Sequence, residues 1–127
     1  MATARLYRII VPVSDMKRAT AFYGHVFDDA GERISEGRHY FDCDGTILVC
    51  YDAVADGDAR GAFRANPGHV YFAVSDLESV CGRVNAAGGL SVGEIKTRTW
   101  GERSFYGKDP FGNPICFVDS TTLFTRP

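Results

Sequence analysis

The chain has 127 residues, a formal charge of −2 and a 45% hydrophobic composition, which suits one domain built on one core rather than two independent ones. Its basic residues, among them Lys17, Arg18, Arg38, Arg60, Arg64, Lys96 and Arg98, are scattered, so neither nucleic acid nor an anionic membrane is an expected partner. No charged-then-apolar leader and no apolar run near the roughly 20 residues that cross a bilayer is present. A cytoplasmic protein is expected, with Cys43, Cys50, Cys81 and Cys116 reduced and without disulfides.

Leu6–Val13 is β-branched and halts at Ser14-Asp15, a helix N-cap signal, so a strand leads into a helix. Met16, Ala19, Phe22, Tyr23, Val26 and Phe27 then recur at helical spacing and give one apolar stripe. Gly31 is read as the end of this helix. Three short strands follow at about Glu32–Ser35, Arg38–Cys43 and Thr46–Tyr51, separated by Glu-Gly and Asp-Gly turns.

Residues 53–68 are polar and Gly-rich and read as a linker, longer than the usual ~4–6-residue connection. The linker is either a solvated tether or a lid in which Phe63 and Arg64 reach a ligand.

The same order then returns. His69–Val74 reads as a strand, Ser75-Asp76-Leu77-Glu78 as a Ser-x-x-Glu capping box, and Leu77, Val80, Val84 and Ala87 as one helix face closed by Gly88-Gly89. Strands are expected at about Leu90–Thr99, Arg103–Lys108 and Pro114–Asp119, the last introduced by Asp109-Pro110-Phe111-Gly112-Asn113. Val13-Ser14-Asp15 matches Val74-Ser75-Asp76, and Asp42, Gly45 and Asp52 match Asp109, Gly112 and Asp119. The chain is thus read as a βαβββ duplication inside a single domain, 1–127. Module one spans about 5–52, module two about 69–120, and 121–127 form a tail.

Two modules of this order, with Ala21-Phe22-Tyr23 in the first helix and Asp109-Pro110-Phe111-Gly112-Asn113 before the last strand, resemble the vicinal oxygen chelate (glyoxalase/bleomycin-resistance/dioxygenase) superfamily over about residues 5–120. The resemblance implies an α+β fold in which each module curls a mixed sheet into a half-barrel, and paired modules enclose a funnel. It also implies a metal-ligand set in metal-using members: a His seven residues before each helix-capping Asp, and a carboxylate in the last strand of each module. In module one these positions hold Arg8 and either Leu48 or Val49; in module two they hold His69 and Cys116. No cofactor is therefore expected. A divalent metal such as zinc, bound through His69 and Cys116, is the alternative.

The expected ligand-binding residues are Arg8, His69, Trp100, Phe105 and Tyr40, with Asp42 alternating beside Tyr40. Arg8 either grips an anion through paired hydrogen bonds or forms a surface or interface ion pair. His69 shares a strand face with Tyr71 and Ala73 and is the candidate acid, base or donor. Trp100-Gly101-Glu102-Arg103 resembles a Trp-Gly-x-Arg segment of the antibiotic-binding and uncharacterised branches, and Trp100 and Phe105 are placed to stack on a flat ligand. Cys116 reads as a small buried hydrophobe rather than a nucleophile.

No phosphate loop, Gly-x-Ser-x-Gly elbow or His-Glu-x-x-His is found. The leading expectation is a metal-free protein that binds a small aromatic or anionic molecule, with a homodimer as its assembly. A metal-dependent lyase, isomerase or dioxygenase is the second, and a dimeric scaffold with a vestigial pocket the third. Whether modules pair within a chain or across a dimer is open at this point.

Overall fold

Alternating burial along the strands explains the architecture. In the computed structural model, which describes residues 3–58 and 63–125, the chain forms two compact units, Met1–Ala65 and Asn66–Pro127, with the division falling inside the expected linker. The first unit runs β1 (Arg8–Pro12), α1 (Met16–Phe27), β2 (Glu32–Ser35), β3 (Arg38–Cys43) and β4 (Thr46–Tyr51). The second runs β5 (Val70–Val74), α2 (Leu77–Ala86), β6 (Leu90–Thr97), β7 (Arg103–Lys108) and β8 (Pro114–Asp119), with a 3-10 turn at Ser120–Thr122 that sequence periodicity did not announce. Each unit is a four-stranded mixed sheet, ordered β1-β4-β3-β2 and β5-β8-β7-β6, whose first and last strands pair in parallel. No described helix is long and apolar enough to cross a membrane.

In the first unit, α1 lays Met16, Ala19, Phe22, Tyr23 and Val26 on the sheet, where they meet the inward-facing side chains of β3 and β4. Tyr23 packs edge-on against Phe22 at 4.8 Å and reaches Phe41 at 6.3 Å. Each such ring withdrawn from water contributes about 1.5–3 kcal/mol. In the second unit, Leu77, Val80 and Val84 of α2 cover the sheet face that carries Phe105, Phe117 and Phe72, whose rings stack at 5.2 and 5.0 Å. The strand period of two sends the intervening residues to the other face of each sheet, which carries no helix.

Several local expectations need correction. Helix α1 ends at Phe27, not at Gly31: Asp28 takes the left-handed conformation (φ 52°) and its N–H donates to the Gly24 carbonyl. Asp tolerates this conformation better than most side chains. Gly31 serves instead where a Cβ would lie 2.6 Å from the Tyr40 carbonyl. At α2 the cap is Asp76, whose carboxylate accepts from the Ser79 N–H at 3.1 Å, rather than Ser75. Glu78 does not close a capping box; its carboxylate is drawn off to Arg103, which also reaches Asp119 at 3.4 Å.

Ladder register also refines the duplication. Ile10 and Tyr71 each stand five residues before their capping Asp and pair with Val49 and Cys116. Tyr40 and Tyr106 are opposite those same two residues. On this register Asp42 corresponds to Lys108, not to Asp109, because four residues separate the paired Asp42 and Ile47, across a tight Asp44-Gly45 turn with both φ positive, whereas five separate the paired Lys108 and Pro114. The two aspartates still do similar work: Asp42 accepts from Gly45 N–H, and Asp109 from the N–H groups of Phe111 and Asn113.

The beginning of the expected linker is not a free tether. Asp52 N–H donates to the Gly37 carbonyl, the Asp56 carboxylate accepts from Gly37 N–H at 2.8 Å, and Arg38 lies 3.6 Å from Asp56. At the far end Asn66 N–H donates to the Asn113 side chain at 2.8 Å. Phe63 and Arg64, offered as lid residues, are exposed; residues 59–62 of the linker, including Arg60, and 126–127 of the tail lie outside the described residues.

Candidate functional site

Each sheet leaves one face without a helix, and the expected site residues sort themselves by that face. On the first unit's open face, Arg8 and Ile10 of β1 lie beside Ile47 and Val49 of β4, and Tyr40 and Asp42 of β3 lie beyond them. Arg8 donates from Nη1 to the Tyr40 hydroxyl at 3.3 Å. Its guanidinium also stands 5.5 Å from the Tyr7 ring, and it has no ion pair among the described residues. Tyr40 and Asp42, together with Asp29, Glu32, Ile34 and Ile47, line an open cavity of about 330 Å³. Register decides between the two alternatives in β4: Val49 faces the open side with Arg8, and Leu48 pairs with Ile9 on the helix side.

On the second unit's open face, His69, Tyr71 and Ala73 continue the edge, Cys116 and Val118 come from β8, and Ser104, Tyr106 and Lys108 from β7. The His69 ring meets Tyr106 edge-on at 5.0 Å and lies 6.1 Å from Tyr71. Arg98 arrives from just past β6. Its guanidinium covers the Tyr106 ring at 4.7 Å and is held by Ser104, with Nε donating to Oγ and Nη2 to the carbonyl, both at 3.0 Å. Partial desolvation raises the Tyr71 hydroxyl above its ordinary value, and nearby Tyr106, Cys116 and Glu102 add to the shift. Tyr71 therefore remains a donor at neutral pH.

Phe105 does not belong to this site. Its neighbours Ser104 and Tyr106 face outward, whereas Phe105 pairs with Phe117, is fully buried and stacks beneath α2. A one-residue difference in register carries a strand side chain to the opposite face. Trp100 sits at the β6–β7 connection, exposed, with its indole N–H donating to Glu102 at 3.1 Å. Arg98, Ser104 and Tyr106 were missed by sequence reasoning. The usable signal was the Phe105/Phe117 pair: once both are assigned inward, Tyr106 must face outward.

The sequence of this chain matches the model of the Glyoxalase/Bleomycin resistance protein/Dioxygenase superfamily over residues 5–117. The chain belongs to that superfamily. Solved structures agree with the fold of this glyoxalase-like chain. A glyoxalase-related enzyme from Fulvimarina pelagi is 17% identical with a TM-score of 0.75, over 91% of this chain and 87% of that one. A lactoylglutathione lyase from Agrobacterium tumefaciens is 20% identical with a TM-score of 0.70, over 99% and 100%. Oxidase ChaP-H2 is 26% identical with a TM-score of 0.69, over 99% and 96%. Among proteins of curated function, none matches significantly.

For a glyoxalase-like chain the question is whether the residues present suit the metal that the fold family implies. At the four strand positions the chain offers Arg8, Val49, His69 and Cys116. Arg8 is a permanent cation and Val49 has no donor atom. Cys116 is buried, and burial pushes its thiol up, although a Ser104 hydrogen bond and the Arg98 guanidinium pull the other way. Metal ligation needs the thiolate. Among the described residues, no three His, Cys, Asp or Glu side chains converge. The set does not fit a metal at this position, since a catalytic zinc keeps about three protein ligands.

Proposed function

We propose that this glyoxalase-like protein binds a small aromatic or anionic molecule on its open sheet faces, gripping it with side-chain cations in place of a metal ion. The observation that carries this reading is Arg8: a guanidinium at a ligand-bearing strand position, hydrogen-bonded to Tyr40, beside Ile47, and without a carboxylate partner among the described residues. Such a group presents directed donors to a carboxylate or phosphate without help from an ion. Ile10, Ile34, Tyr71, Leu90 and Val92 are large apolar residues left exposed, and a homodimer that covers part of this surface belongs to the proposal.

The test begins with native mass spectrometry of freshly purified, untagged protein, which weighs any co-purified organic molecule and counts protomers. Titration of the identified molecule into the Arg8→Ala variant should then show affinity reduced at least about tenfold. Unchanged affinity would remove Arg8 from the site.

A second reading, a metal-dependent lyase, isomerase or dioxygenase, draws on His69 and Cys116 lying on one sheet face and on the likeness to Oxidase ChaP-H2. It predicts stoichiometric metal in the purified protein, lost in His69→Ala.

A further inference from the structure

The second unit carries a guanidinium whose geometry calls for a specific kind of ligand. Arg38 and Arg103, half-buried like Arg98, both pair with carboxylates: Arg38 with Asp56, and Arg103 with Glu78 and Asp119. Arg98 has no ion pair among the described residues. Its side chain is nonetheless fixed. Nε and Nη2 are spent on Ser104, and Nη2 also points at the Glu94 carbonyl at 3.5 Å, which leaves Nη1 without an acceptor among the described residues. The guanidinium plane is supported from below by Tyr106, at 4.7 Å. A cation held in place, desolvated on one side and still lacking a counter-charge is a pre-organised anion receptor.

The surroundings narrow the class of anion. Tyr106, which the guanidinium covers, is flanked by His69 at 5.0 Å, and Tyr71 lies 6.1 Å from His69, so a run of three rings leads away from the guanidinium along one open face. Lys96 and Lys108 flank the same face by register, opposite Ser104 and Leu90. Glu102, a carboxylate in the β6–β7 connection, accepts the Trp100 indole N–H. A compact aromatic body with a single negative group satisfies rings and guanidinium together; a bare inorganic anion would leave the rings unused.

We propose that Arg98 is the anion-recognising residue of the second unit's open face, and that this face takes an aromatic carboxylate whose carboxyl group meets Nη1 while its ring lies against Tyr106, His69 and Tyr71. This rests on the reading that the open sheet faces take a small molecule, and adds to it a residue and a ligand class.

Benzoate and its neutral isostere benzamide are the probes, titrated into the full chain and followed by NMR chemical shifts of β5, β7 and the Arg98 Nε–H. Benzoate should bind about tenfold more tightly than benzamide, because only the carboxylate matches the guanidinium. Arg98→Met should bring benzoate down to the benzamide level while benzamide is unaffected. Arg98→Lys, which keeps the charge and loses the two Ser104 hydrogen bonds that aim Nη1, should fall at least about threefold, and it decides the matter if Arg98→Met does not fold. Equal binding of the two probes, no shift from either, or benzoate affinity that survives both substitutions would overturn the proposal. If Arg8→Ala abolishes benzoate binding while Arg98→Met leaves it intact, the ligand-binding reading stands and the role of Arg98 falls.

Discussion

Tyr40 and Tyr106 hold the same place in the two sheets, opposite Val49 and Cys116, and each is met by an arginine from a different direction. Arg8 reaches the Tyr40 hydroxyl from the β1 edge, and Arg98 covers the face of the Tyr106 ring from the opposite edge, just past β6. The duplication thus keeps a tyrosine at the centre of each open face while exchanging the cation's origin. Where one copy retains His69, the other has Arg8, so the two faces are chemically unlike even though their backbones repeat.

The assignment of Phe105 to the core is testable by stability. Phe105→Ala should cost about 3–5 kcal/mol, as for other buried phenylalanines, while Trp100→Ala, at an exposed position, should stay within about 0.5 kcal/mol. Urea unfolding of both variants separates the two roles; a stable Phe105→Ala would return that ring to the list of site residues.

Gly37 is a packing requirement of the docked loop. A Cβ there would lie 2.2 Å from the Asp52 carbonyl oxygen and 2.7 Å from the Asp56 Cβ, and backbone cannot yield as a flexible side chain can. Gly37→Ala should destabilise by about 1–3 kcal/mol, measured as a lower denaturant midpoint. It should also raise amide exchange at Gly37 and Ala55, whose N–H groups bond to Asp56 and Asp52. Wild-type stability in this variant would mean the loop is not fastened as described.

The Glu78–Arg103–Asp119 group should give an acid-dependent contribution. The hydrogen bond from Arg103 holds Glu78 below its ordinary value, and Thr121, through its backbone N–H and its hydroxyl, then Arg103, do the same for Asp119. With folded values depressed, the contribution is complete above the unfolded carboxylate range of about 4 and fades as pH falls through the folded values. The groups are solvent-screened, so the effect is small. Glu78→Gln should melt slightly below wild type at pH 7, and the difference should close near pH 2. A gap that persists in acid would assign the effect to packing.

Most of the fold was legible because its signals are local. The two apolar helical stripes, the Asp-Gly turn and the alternating strands each depend on a few neighbouring residues, and six of the eight strands follow the expected bounds within one residue. What escaped was set by pairing across the sheet. Phe105 and Tyr106 are both aromatic neighbours in one strand, and only the partner strand, with Phe117 turned inward, decides which of them faces outward. The role of Arg98 depends on Ser104, six residues on and across a bulged ladder. Glu78 suited a capping box in sequence, but a guanidinium 25 residues away competed for it.

Cys116 offers a chemical check on the second unit. Burial raises its thiol, and it is almost wholly covered, so alkylation by iodoacetamide at pH 7 should be slower than that of a free thiol. Mass spectrometry of the peptide containing Cys116 reads the rate. Rapid labelling would indicate a thiolate and revive Cys116 as a ligand or nucleophile.

The claim that side-chain cations stand in place of a metal is tested most directly by metal analysis of the untagged protein. The measurement is native mass spectrometry beside elemental analysis, after purification without chelators and equilibration with zinc followed by dialysis. The account predicts that the chain returns to its metal-free mass, in wild type and in His69→Ala alike. Stoichiometric metal that survives dialysis and disappears in His69→Ala would contradict it and make the metal-dependent enzyme the better description.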